Sequence, residues 1–160
     1  MIVISDTTPL ISLIKIDRLD LLEKLFGSVY IPHGVFDEVS AESLYEDEAE
    51  LVKNADFIKI KDADSEKVSL LMRATGLDLG ESEAIVLTET LNADLTLMDE
   101  VHGRTVAHRM GLHIMGTVGI LGMAKEQNLI SKDEIRQYIA VFKATGRHIS
   151  EDLLNYLLNG

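Results

Sequence analysis

Five apolar runs of strand length, each followed by residues that repeat at helical spacing, limit the fold of this 160-residue chain more than any other feature. The runs predict strands at Ile2–Ser5, Ser28–Ile31, Phe57–Ile60, Leu95–Met98 and His113–Met115. Between them Leu10, Leu13 and Ile14 share a face, as do Leu21, Leu22 and Leu25, and then Val68, Leu71 and Met72. Ala84, Ile85, Leu87 and Leu91 form the clearest helical stripe. Strands that alternate with helices imply an α/β fold with a mostly parallel sheet covered on both faces. After Gly116 the chain reads as helix at 117–127, 132–143 and 150–158. The length suits a single domain over 1–160.

The ends of these elements carry their own signals. Pro9 and Pro32 are expected just inside helix starts, where a missing N–H has no intrahelical partner to lose. Gly76, Gly111 and Gly146 follow helical stretches as C-terminal caps do. Ser131 with Glu134 three residues later has capping-box spacing. The acidic segment Glu42–Glu50 reads as a solvated helix face or loop.

Asp6 closes the first run, where a buried strand should be ending. In an open parallel sheet, ligands bind beyond the carboxyl ends of the strands. Other acids fall at comparable places. Asp99 closes the fourth run with Glu100 beside it, and Glu38 lies about two helical turns beyond the second. Glu81 and Glu83 open the helix LGESEAIVLTETL, at its positive end. Each has a plainer reading. Asp6 or Asp99 can cap a helix, Glu81 and Glu83 can complement a helix dipole, and Glu38 can be solvated. Together they point to one acidic edge. Carboxylates crowded into a single site resist joint ionisation, and a hard divalent cation such as Mg2+ or Mn2+ relieves that repulsion.

The charge distribution bears on what such a site can act on. The net charge is −12, which argues against general nucleic-acid binding. It is unevenly spread. Residues 1–100 hold 22 acids and 8 bases, whereas residues 101–148 hold 3 acids and 7 bases. A bound metal also inverts the local sign, so an acidic site can cut an acidic polymer. There is no cysteine, which excludes disulfides and thiolate-zinc sites and fits a cytoplasmic location. No apolar run reaches the ~18 residues of a membrane span.

The segments VISDTTPLISL, YIPHGVFDEV, LGESEAIVLT and LTLMDEVHGRTVA, in that order, resemble a PIN-domain nuclease along nearly the whole chain. The similarity is greatest to a branch near the VapC-type toxins. It implies three α/β/α layers with about five parallel strands, and divalent-metal-dependent cleavage of RNA. It gives Asp6 the first metal-ligand role. The pattern Pro32, Val35, Glu38 gives Glu38 the second. VapC-type chains commonly carry Asp-Ala at the third motif, where this chain has Glu83-Ala84 and an extra acid in Glu81. Asp99 falls where the family's fourth acid follows a strand. A toxin reading further implies an antitoxin partner.

Several residues keep two readings. Thr7 and Ser12 can support Asp6 or a metal-bound water, or can satisfy nearby backbone. Arg104 can contact a scissile phosphate or pair with Glu100 at i,i+4. The five histidines, His33, His102, His108, His113 and His148, lack metal-binding spacing. TVGILGMAK lacks the ending of a phosphate loop, and its glycines favour close helix packing. Leu153, Leu154, Leu157 and Leu158 either finish the core or form a homodimer contact. The competing functions are a non-catalytic PIN-like binding or regulatory module and, more remotely, a phosphatase using Asp6 as nucleophile. The latter normally needs a second Asp where this chain has Thr8.

Overall fold

A computed structural model describes residues 1–42, 46–147 and 149–159, with the side chains of residues 42, 46 and 47 outside the description. The acidic segment at 42–50 therefore lies partly, and His148 wholly, outside the described residues. The chain runs β1 (Val3–Ser5), α1 (Thr7–Lys15), α2 (Asp20–Phe26), β2 (Val29–Pro32), α3 (His33–Glu42), α4 (Glu46–Asn54), β3 (Ile58–Lys61), α5 (Ser65–Thr75), α6 (Leu79–Thr90), β4 (Leu95–Leu97), α7 (Val101–Arg109), β5 (Ile114–Met115), α8 (Thr117–Glu126), α9 (Lys132–Ala144) and α10 (Glu151–Asn159). The five strands form one sheet in the order β3-β2-β1-β4-β5, and every pairing is parallel.

Alternation along the strands builds a core on each face of the sheet. Val3, Val29, Ile31 and Leu97 enter the larger core, with Leu10 and Leu13 of α1, Ile120 and Leu121 of α8, and Phe142 of α9. Their neighbours Ile4 and Met98 enter the smaller core, with Ala84, Ile85 and Leu87 of α6 and Ala107 of α7. A strand buried on both sides has no solvent face, so Val3, Ile4 and Ser5 of β1 are all buried with no alternation of exposed residues. The terminal helix finishes the larger core through Leu154 and Leu157, while Leu153 stays exposed.

Local chemistry explains the helix ends. Asp64 caps α5 by accepting from the Glu66 and Lys67 N–H groups. Gly76 ends that helix in the left-handed region at φ 76° and donates its N–H to Met72. Ser131 and Glu134 exchange both bonds of the capping box at the start of α9. Pro32 departs from expectation. It closes β2, one residue before α3 begins, where a residue without an N–H ends the ladder. Far along the chain, Arg18 ties the start of α2 to α9 through Asp20, Glu134 and Tyr138. Among the described residues no helix is long and apolar enough to cross a membrane.

Candidate active site

From β1 the chain travels outward to β2 and β3, then returns to place β4 on the other side of β1. The carboxyl ends of β1 and β4 therefore flank the point where the strand order reverses, the usual crevice of an open α/β sheet. Asp6 stands there. Its N–H donates to Leu97 O at 2.9 Å, extending the β1–β4 pairing by one step. It occupies the N-cap position of α1, yet its side chain makes no capping hydrogen bond. The residue is 3% exposed. Burial pushes its pKa up to about 7; the Thr7 N–H offsets part of the rise, and the negative charges of Asp78, Glu38 and Glu100 add to it.

Glu38 reaches the same place from α3. Thr7 Oγ1 donates to Glu38 Oε2 at 3.0 Å, so the residue after Asp6 fixes the second carboxylate. The first turn of α6 closes the pocket. Gly80 has no side chain, and a Cβ there would strike Glu38 Oε1 and lie 3.6 Å from Asp6 Oδ1. The glycine thus lets two carboxylates lie against the helix backbone. Asp78 caps α6, accepting the Glu81 N–H at 2.8 Å. Burial, followed by a hydrogen bond with the Asp78 side chain and the charges of Asp78, Asp6 and Glu100, pushes the Glu81 carboxyl up to about 8. Glu81 Oε2 is buried with no hydrogen-bond partner among the described residues. It lies against α7, where a Cβ on Gly103 would come within 2.7 Å.

The other expected residues are placed differently. Glu83 Oε2 accepts the Gly34 N–H at 3.1 Å, which ties it to the first turn of α3. Asp99 accepts the Thr117 N–H at 2.8 Å and the Thr117 hydroxyl at 2.6 Å, and it pairs with Arg147 Nη2 at 2.9 Å. These bonds cap α8 and leave Asp99 neutralised. Glu100 is exposed at the N-cap of α7, close enough to raise both Asp6 and Glu81. Arg104 makes no ion pair with any described residue, Glu100 included. Ser12 Oγ is buried without a hydrogen-bond partner among the described residues. The structure therefore sets Asp6 and Glu38 beside Gly80, places Glu81 where the Asp6 charge acts on it, holds Glu83 at the α3 terminus, and holds Asp99 against α8.

Sequence reasoning passed over Asp78, although an Asp three residues ahead of Glu81 at a helix start is a capping signal. It also passed over Arg147. Nothing local marks that residue, because its partner lies 48 positions earlier.

Donor chemistry decides which metal could be held here. Asp6, Glu38, Asp78 and Glu81 offer carboxylate oxygens only, Thr7 adds a hydroxyl, and among the described residues no cation forms an ion pair with Asp6 or Glu81. An all-oxygen set with surplus negative charge and an unpartnered buried oxygen fits a hard divalent ion. Among the described residues no three His, Cys, Asp or Glu side chains yet converge as a complete ligand group, so holding an ion requires side-chain adjustment. A family model described as PIN domain matches residues 2–159. No curated protein matches the chain.

Proposed function

The chain belongs to the PIN-domain family, a family generally of metal-dependent nucleases, and from that premise we propose that it cuts single-stranded or structured RNA with Mg2+ or Mn2+. The observation that carries the reading is the buried, uncompensated Asp6 at the sheet's reversal point, with Glu38, Asp78 and Glu81 around it.

Asp6, Glu38 and Glu81 are the residues that would hold the ion. A divalent ion held there would supply Lewis-acid chemistry and offset the carboxylate charge. The rest falls to the chain. Thr7 orients Glu38 through its hydroxyl. Asp78 fixes the first turn of α6 and so the position of Glu81. Glu83 anchors α6 to α3, which sets the spacing between Glu81 and Glu38. Asp99, through Thr117 and Arg147, fixes the end of β4 beside Asp6. Arg104 supplies an uncommitted cation for a substrate phosphate. A role as the toxin of a toxin–antitoxin pair, with an antitoxin partner and a homodimeric state, belongs to the same proposal.

The test is cleavage of RNA by the purified protein with Mg2+ or Mn2+. Cutting that is lost in Asp6→Asn supports the reading, and equal cutting by Asp6→Asn rejects the site. One observation favours a second reading. Asp99 is already neutralised by Arg147, as suits a non-catalytic module that binds nucleic acid without cutting it. RNA binding without cleavage, in a protein that takes up no divalent ion, would select that alternative.

A further inference from the structure

Beyond the acid pocket, past Asp99, a cleft of about 650 Å3 runs between α7, the start of α8 and α10. Its contents differ from the pocket in sign. Arg104 and Arg147 both line it, together with Asp99, Gly116, Phe142 and Tyr156. Arg147 is held rather than free. Its guanidinium lies 5.8 Å from the Phe142 ring centre, and Nη2 reaches Asp99 Oδ2 at 2.9 Å, which leaves its other N–H groups for a ligand. Arg104 is exposed and pairs with no described acid, in a chain that carries 27 acids against 15 bases.

Position narrows the use of that charge. A Cβ on Gly116 would stand 2.7 Å from Asp99 Oδ1 and 3.1 Å from Arg104 Nη1. The Arg104 guanidinium therefore lies over bare backbone beside Asp99, inside the cleft. Tyr156 is 47% exposed and Leu153 44% exposed on the α10 wall. An anion held between two guanidinium groups, beside an exposed ring on an apolar wall, has the chemistry of a nucleotide: phosphate on arginine, base on tyrosine. The cleft opens at the end of β4, the strand that neighbours β1 and Asp6.

Resting on the nuclease reading above, we propose that this cleft holds the nucleotide adjoining the cut bond, its phosphate between Arg104 and Arg147 and its base against Tyr156. The cleft thereby lays the next phosphodiester across the acid pocket. It also answers how a chain of net charge −12 keeps hold of RNA: one nucleotide is gripped by a local cationic site set apart from the acids.

The experiment is fluorescence anisotropy with a 5′-labelled RNA oligonucleotide of about 12 residues, in EDTA, over a salt series. EDTA removes catalysis, so binding is read separately from cutting. Arg104→Gln should weaken binding roughly 5- to 10-fold and lower the salt slope by about one. Tyr156→Ala should weaken it at least about 5-fold, with Tyr156→Phe restoring affinity because the ring face is kept. Lys59→Gln, on β3 at the far edge of the sheet, should leave affinity unchanged. Unchanged affinity in both Arg104→Gln and Tyr156→Ala overturns the proposal, as does failure of the unaltered protein to bind RNA. An oligoglutamate peptide whose binding depends on Arg104, while that of RNA does not, overturns the assignment to nucleic acid. If RNA binding depends on Arg104 but no metal supports cleavage, the nuclease reading falls and the nucleotide site stands. If cleavage occurs and binding ignores Arg104, the reverse holds.

Discussion

Adjacent strands β1 and β4 each end beside an aspartate, and the protein treats the two in opposite ways. Asp99 is given an arginine, a hydroxyl and a helix N–H. Asp6 is given burial and more acids. Asp99 has the bonding of a structural carboxylate. Asp6 has the bonding of a group waiting for a cation: the Thr7 N–H offsets part of the charge it acquires on ionising, and no described residue forms an ion pair with it. The contrast separates two kinds of acidic residue that look alike in sequence, and it is the ground for proposing that the chemistry lies on the β1 side of the reversal point.

The hardest blow to the contrast is Asp6→Asn. It should lower metal-dependent RNA cleavage by at least about 100-fold, measured as initial rates at saturating Mn2+. Asp99→Asn should lower it less, because that side chain acts through position. Equal losses would erase the distinction.

Stability should separate the two acids as well. Removing Arg147 strands a mostly buried charge, so Arg147→Ala should destabilise by about 1–3 kcal/mol in urea unfolding at pH 7. Asp99→Asn placed on top should recover part of that loss, the coupling expected of a paired acid. For Asp6 the sign is opposite. Its pKa rises from 3.8 to about 7 on folding, so the folded state favours the proton. The associated stability is complete below about pH 4 and is lost as pH climbs through about 7. In EDTA at pH 8, Asp6→Asn should therefore be more stable than the parent, by on the order of 2–4 kcal/mol. At pH 4 the difference should vanish. A variant less stable than the parent at both pH values would show that Asp6 is a structural acid after all.

Smaller changes sharpen the picture. Gly80→Ala drives a methyl into Glu38 Oε1, the free end of a flexible side chain. Stability should move by less than about 1 kcal/mol, since alanine also suits a helix better. Cleavage should drop about 10-fold as Glu38 is displaced. Ser131→Ala removes the capping box of α9, remote from both aspartates. It should lower stability by about 1 kcal/mol and leave cleavage untouched.

Much of this architecture is legible in the sequence, for reasons that can be named. Strands such as Val3–Ser5 and Leu95–Leu97 are short apolar runs because both faces of the sheet are covered. Ser131 and Gly76 mark helix ends through bonds made within a few residues. Asp6 and Glu38 stand out because each closes or follows a strand. The third motif is where sequence falls short. Glu81 and Glu83 are two residues apart on one helix, about 200° around its axis, so they cannot face the same neighbour. Only packing shows that Glu81 meets Asp78 and α7 while Glu83 meets Gly34 of α3. Arg147 is hidden for a related reason. Its bond to Asp99 is closed by tertiary contacts of α8 and α9, and no periodicity announces it.

The measurement closest to the central claim is a calorimetric titration of the metal-free protein with Mn2+ at pH 6.5, run in two buffers of different ionisation enthalpy. The account predicts binding accompanied by proton release from the Asp6–Glu81 pocket, with both the affinity and the released proton largely gone in Asp6→Asn. Absence of binding, or undiminished binding by Asp6→Asn, would contradict it.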